Sequence, residues 1–172
     1  MRTYLELREP TALRGEPWTA ALRLAHRADC TVAEYRRLYA AVGAAYGWHD
    51  RDAWTDERLA TRLRDPRVHV WVAEDPATGE SGGYFELERH DDGAVEIAYF
   101  GVVAALHGRR VGAQLLTAAT NAAWALGATR VWLHTCTLDA PAALPNYVAR
   151  GFTPFRTESY LVPPLPSSAG TK

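Results

Sequence analysis

Ala94-Val95-Glu96-Ile97-Ala98-Tyr99-Phe100-Gly101-Val102-Val103, running on through Ala104-Ala105-Leu106 into His107-Gly108-Arg109-Arg110-Val111-Gly112-Ala113, is the stretch on which the fold turns. Its first half is rich in β-branched and aromatic residues and reads as a strand. Its second half opens a helix. Val111, Leu115, Ala118, Ala122 and Leu126 recur on one face, and Gly127 supplies the stop, so a helix over 108–126 is expected. A glycine-bearing loop between strand and helix can aim several backbone N–H groups at one point. The helix N-terminus adds partial positive charge there, and Arg109 and Arg110 add donors. The combination suits a pyrophosphate, although a tight strand-to-helix turn would use the same glycines. The loop is not a P-loop, because Gly-Lys-Ser/Thr is absent, nor a dinucleotide fingerprint, because Gly-x-Gly-x-x-Gly is absent.

Upstream of this stretch, Val68, Val70 and Val72 alternate with His69 and Trp71, and Gly83 to Arg89 is a second strand. Asp91-Asp92-Gly93 is a hairpin turn, so three strands form an antiparallel meander. Earlier still, Thr31 and Glu34 have capping-box spacing. Val32, Tyr35, Leu38, Tyr39 and Val42 follow at helical spacing. A second helix starts near Thr55 and stops at Pro66. Thr3 to Arg8 is β-prone, and Ala20 to His26 reads as either strand or helix. Downstream, Thr129 to Thr137 is a strand, Pro141 to Arg150 a short helix closed by Gly151, and Thr153 to Val162 a last strand. The fold class is therefore α/β with a mixed sheet. One domain over 1–165 is expected, with a disordered tail at 166–172 after Pro163, Pro164 and Pro166.

The 172 residues carry a net charge of -1, which argues against a surface built for nucleic acid or anionic lipid. Cys30 and Cys136 lie in no metal-ligand or disulfide pattern, so no metal is expected. No signal-like or membrane-length apolar run occurs, and a cytoplasmic protein is expected.

His107-Gly108-Arg109-Arg110-Val111-Gly112 resembles the pyrophosphate loop of the GNAT superfamily of N-acetyltransferases, written Gln/Arg-x-x-Gly-x-Gly/Ala. Here His107 stands at the Gln/Arg position and Arg110 at the first glycine. Asn146-Tyr147-Val148-Ala149-Arg150-Gly151-Phe152 is similar to the family's Tyr-x-x-x-Gly-Phe ending. The asparagine that usually precedes that helix is replaced by Ala140. The likeness spans about 68–162. More narrowly, Val42-Gly43, Tyr46, Trp48, Arg51 and 135–139 resemble a little-characterised bacterial subgroup.

The resemblance implies a single-domain sheet with an antiparallel meander, a central CoA-binding helix and two splayed strands. It implies acetyl-CoA as donor and direct transfer to an amine in a ternary complex. Phe100, Gly101 and Val102 would pair with the pantetheine arm, and His107, Gly108, Arg109, Arg110, Val111, Gly112 and Ala113 would hold the pyrophosphate. Glu96 is the first choice for general base, directly or through water, with a cross-strand ion pair as its plain structural role. Glu86 is the second choice. Tyr147 would donate to the leaving thiolate, or else simply pack. Tyr46, Trp48 and Arg51 lie between the first two helices, where the family covers its acceptor. With Glu86 they would form the acceptor site, suited to a small amine carrying a carboxylate, unless the aromatics only pack the helices onto the sheet. Another acyl donor, a carrier-protein partner, a non-catalytic acyl-CoA-binding module, a peptide amine as acceptor and a homodimer all remain open at this level.

Overall fold

The computed structural model describes residues 1–44, 46–137 and 139–159. Among them the strands β1 (Arg2–Leu7), β2 (Arg23–His26), β3 (Val68–Glu74), β4 (Ser81–Arg89), β5 (Ala94–Val102), β6 (Arg130–Cys136) and β7 (Thr153–Glu158) form one sheet. Four helices pack on it: α1 (Val32–Gly43), α2 (Asp56–Leu63), α3 (Val111–Ala125) and α4 (Ala143–Ala149). The α/β class, the single domain and the antiparallel meander are as expected. The ambiguous segment before residue 26 settles as a strand paired with β3. The tail, and the end of the last expected strand, fall outside the described residues. No described helix is long and apolar enough to cross a membrane.

The sheet order is β2-β3-β4-β5-β6-β1-β7. β1 therefore lies between β6 and β7, antiparallel to both. One face carries Leu5, Leu87, Val95, Ile97, Val131 and Leu133, packed against Leu115, Leu116 and Ala119 of α3. The other carries Val70, Val72 and Tyr84 under Tyr35, Leu38, Tyr39 and Val42 of α1. Thr31 caps α1 by accepting from Glu34 N–H at 3.1 Å. The reciprocal half of the box is not made, because the Glu34 carboxylate pairs with Arg27 at 2.9 Å.

β5 and β6 are parallel and pair only at Ala94↔Arg130, Val95↔Val131 and Glu96↔Trp132. Beyond Glu96 the two strands part. Two features drive this. The β4–β5 register shifts between Glu86↔Tyr99 and Leu87↔Ile97, which leaves Ala98 as an extra residue, a bulge that bends the strand. On its far edge β6 is held along its length by β1, from Val131↔Leu7 to Cys136↔Arg2.

Gly101 lets α1 approach the parting strand. A Cβ there would lie 2.5 Å from Val42 Cγ1 and 2.9 Å from Tyr46 Cε2. Its missing side chain is thus filled from within. Gly101→Ala is expected to lower stability by about 1–3 kcal/mol through overpacking, read as the shift of the chemical-denaturation midpoint.

Candidate active site

The gap between β5 and β6 is lined on one side by backbone that β4 does not use. The Val102 carbonyl lies 3.4 Å from the Tyr46 hydroxyl, which donates to it, and 3.2 Å from His107 Nε2. Tyr46 Oη and His107 Nε2 are 3.0 Å apart, with tilted rings. The His107 ring is thereby turned toward Tyr46, and only its backbone remains with the loop expected to bind phosphate. Val102 thus presents its carbonyl to the gap.

The loop reaches α3 by way of two left-handed residues, Gly108 (φ +74°) and Arg110 (φ +62°). This is why the helix begins at Val111 and not at Gly108. A non-glycine residue in that region is strained, and the Arg110 side chain is held by the Glu16 carboxylate at 2.8 Å. Glu16 also takes Arg150 at 2.8 Å, which ties the start of α3 to the end of α4. No side chain caps α3. Val111 and Gly112 lie in its first turn, whose N–H groups have no carbonyl one turn earlier to bond. Ala113 N–H is already used, donating to the Arg110 carbonyl at 3.1 Å. Gly112 has ordinary helical backbone, and a Cβ there would meet nothing within 4 Å. Neither conformation nor internal packing calls for glycine at that position. Of the loop's two arginines, Arg110 is committed to Glu16 and Arg109 is exposed with no ion pair among the described residues.

Glu96 sits on β5 at the last paired position before the gap, its side chain 12 % exposed. Two imidazoles bracket it: His90 Nε2 lies 3.3 Å from one carboxylate oxygen and His134 Nε2 lies 3.9 Å from the other. Burial raises its pKa above the usual glutamate value, and nearby Glu88 adds to the rise against the pull of His90. Tyr147, on α4, is buried against Phe100 and Phe152 with ring centroids 6.2 and 6.4 Å apart. Burial holds its phenol well above the usual tyrosine range, and the charges of Asp139 and Tyr46 add to this.

Glu86 is closed off from any acceptor, and Arg51 borders the hollow described below with its guanidinium already paired. Glu86 is fully buried, and Arg51 is 5 % exposed. The guanidinium meets the carboxylate through two nitrogens at 2.6 and 2.9 Å. Arg62 adds a third contact at 2.7 Å, and the Tyr35 hydroxyl donates at 2.6 Å. Burial alone would raise the Glu86 pKa, but the two guanidiniums win and hold it below the usual value. Arg51 is thus neutralised inside the core, and Arg36, which also lines the hollow, pairs with Asp56 at 2.7 Å, while Glu86 is fully buried. Arg62 also reaches Glu88 at 2.6 Å. Glu88, His90 and Glu96 have ligand atoms within 4.8 Å of one another, with the Arg62 guanidinium already paired to Glu88 among them. Trp48 packs edge-on to Tyr99 and under Gly43. A hollow of about 370 Å³ beside it is lined by Tyr39, Ala44, Trp48, Arg51 and Leu59, none of them on β5 or β6.

What the sequence reading missed lies on β6 and β1. His134 and Trp132 face the same side of the sheet as Glu96, and Tyr4 stands edge-on to His134 at 5.7 Å. Alternation along Arg130–Cys136 separates Trp132 and His134 from the buried Val131 and Leu133. That was the available signal, but nothing local said which strand neighbours them.

The family model described as acetyltransferase (GNAT) family matches residues 26–152, and the chain belongs to that family. No curated protein matches it. Among solved structures it is similar to a GCN5-related N-acetyltransferase from Kribbella flavida (TM-score 0.62, 23 % identity, 90 % of this chain and 55 % of that one). An aminoglycoside acetyltransferase from an uncultured soil metagenomic sample, solved with sisomicin, gives a TM-score of 0.67 at 16 % identity, covering 84 % and 96 %. A tandem GNAT protein from the clavulanic acid biosynthesis pathway gives 0.60 at 17 %, covering 90 % and 50 %. The chain thus spans about half the length of the first and third of these. At such identities the likeness is one of fold.

Proposed function

We propose that the protein transfers an acetyl group from acetyl-CoA to the primary amine of a small molecule, directly, in a ternary complex. The observation that carries this reading is the uncapped start of α3 beside the gap between β5 and β6. There a Cβ on Gly112 would meet no described residue within 4 Å. A diphosphate is the natural occupant, since it takes the Val111 and Gly112 N–H groups and the helix's positive end. Arg109 adds a mobile cation. The pantetheine arm then runs along the unpaired edge of β5 and displaces Tyr46 and His107 from the Val102 carbonyl.

Acetyl transfer needs an acceptor amine without its extra proton, a donor to the thioester oxygen and a proton for the leaving sulfur. Glu96 is the carboxylate for the first task. Tyr147 is the donor for the last: its phenol is protonated at neutral pH and passes a proton to the sulfur as it receives the second proton of the amine nitrogen. Open-edge β5 N–H groups serve the thioester oxygen. The amine attacks the carbonyl carbon, the C–N bond forms, and the C–S bond breaks. CoA leaves as the thiol, and the acceptor's first proton goes to solvent by way of the base.

Gly112→Glu tests the donor site. The side chain has room, so the variant should fold, but it sets a carboxylate against the diphosphate. CoA affinity by calorimetry is expected to fall roughly 10- to 100-fold, about 1.4–2.8 kcal/mol. Unchanged affinity in a folded variant rejects the assignment. A thermal-shift screen with acetyl-CoA, followed by an amine panel read as free-thiol release, tests the reaction and identifies the acceptor.

A further inference from the structure

From the side chains around the gap we infer that His134 is a catalytic residue: its imidazole takes the proton from the acceptor ammonium, with the Glu96 carboxylate beside it. The inference rests on the acetyl-transfer reading above and replaces the water that could otherwise stand between Glu96 and the amine.

The geometry is specific. His134 lies two residues past Trp132, the last residue of β6 to pair with β5. It is thus the first side chain on that face of β6 beyond the point where the strands part. Its Nε2 is 3.9 Å from Glu96 Oε1. That is too long for a hydrogen bond, yet both atoms can reach a single nitrogen placed between them. Glu96 by itself is poorly presented. It is mostly covered, and its other oxygen is engaged by His90 at 3.3 Å. His134 is more open, at 31 % side-chain exposure. Tyr4 packs edge-on against its ring, with centroids 5.7 Å apart.

Charge supports the same division. Around His134 stand Arg2 from β1, Glu158 from β7, Asp50 from the loop before α2, and Asp139 after β6. Around Glu96 stand His90, Glu88 and Arg62. Burial and Arg2 hold the His134 ring below the usual histidine value against the three acids. It is therefore neutral and able to accept at neutral pH. When Nε2 takes the ammonium proton, the imidazolium that forms lies 3.9 Å from Glu96 Oε1, and the carboxylate charge favours it. The free amine then attacks the thioester carbon. On collapse, the remaining surplus proton on nitrogen balances the CoA thiolate through Tyr147. The proton on His134 returns to solvent, one per turnover.

The test compares His134→Gln and Glu96→Gln with wild type. Rates are read as thiol release from acetyl-CoA with sisomicin, spermidine and tryptamine as amine probes across a range of pH, and CoA affinity is read by calorimetry. His134→Gln is expected to lose about 10²-fold in kcat at neutral pH with amine KM and CoA affinity unchanged. The deficit should shrink at alkaline pH, where the amine sheds its proton unaided, and added imidazole should restore part of the rate. The double variant should be little worse than either single one, because the pair acts as a unit. If His134→Gln keeps the wild-type rate and pH profile while Glu96→Gln loses both, the inference is overturned and the acetyl-transfer reading survives. If wild type neither binds CoA nor releases thiol with any probe, both are overturned.

Discussion

Glu96→Gln lowers the rate of acetyl transfer at neutral pH by at least about 10²-fold and leaves CoA affinity as it was. Glutamine keeps the shape and can still bond His90, so a loss cannot be charged to packing. What disappears is the negative charge. The sign of the pH effect follows from burial. The Glu96 carboxyl binds its proton more tightly than an exposed glutamate, so wild-type kcat/KM falls as pH drops through that raised value. The variant has no carboxylate to titrate and lacks this limb. At alkaline pH the acceptor arrives already deprotonated and the two enzymes converge. A variant whose rate tracks wild type at every pH removes Glu96 from the chemistry. Its plain alternative, a strand glutamate paired across to His90, then suffices.

Arg51→Met is expected to cost about 3–5 kcal/mol, because removing one partner leaves the other charge buried. Arg62 and the Tyr35 hydroxyl still contact Glu86, so the lower end of that range is expected, a fall in Tm of roughly 6–12 °C for a chain of this size. The ring stacking of Arg51 on Tyr99, 4.2 Å from the centroid, is lost as well. Acid sensitivity moves in a defined direction. Glu86 is held below its ordinary value of 4.5, so its contribution is present above that value and fades as pH falls through the folded one. With one guanidinium gone the folded value climbs, and acid unfolding begins at higher pH. Had Arg51 been a ligand for a substrate carboxylate, the variant would instead raise the acceptor KM and leave the melting curve in place. A melting scan together with acceptor kinetics separates these outcomes.

The difference between those expectations for Arg51 marks where the sequence stops being informative. The meander, the Thr31 cap and the central helix were legible because each is written locally: Val68–Glu74 alternates, Thr31 precedes a helical period, and Asp92-Gly93 makes the turn. The donor loop could be proposed for the same reason, since its N–H groups belong to one continuous stretch of chain. The partner of Arg51 was not. Glu86 lies on another element, and an arginine among aromatic residues reads alike whether it faces a substrate or a buried carboxylate. The bulge at Ala98 has no residue signature, yet it turns β5 away from β6. Within the loop the resemblance gave the positions, but it did not show that Arg110 is claimed by Glu16 or that the His107 ring turns to Tyr46. His134 went unread because what sets it apart is its nearness to Glu96, which is distant in the chain, and the parting of two strands.

β1 carries a consequence of a different kind. It is made long before β6 and β7, yet its hydrogen bonds are to those two strands alone. During synthesis it waits, while the meander and α1 can close on neighbours already at hand. The wall holding Tyr4, Trp132 and His134 is then the last part of the protein to assemble. A nascent chain would close the meander first, and this wall only once β1 meets β6 and β7.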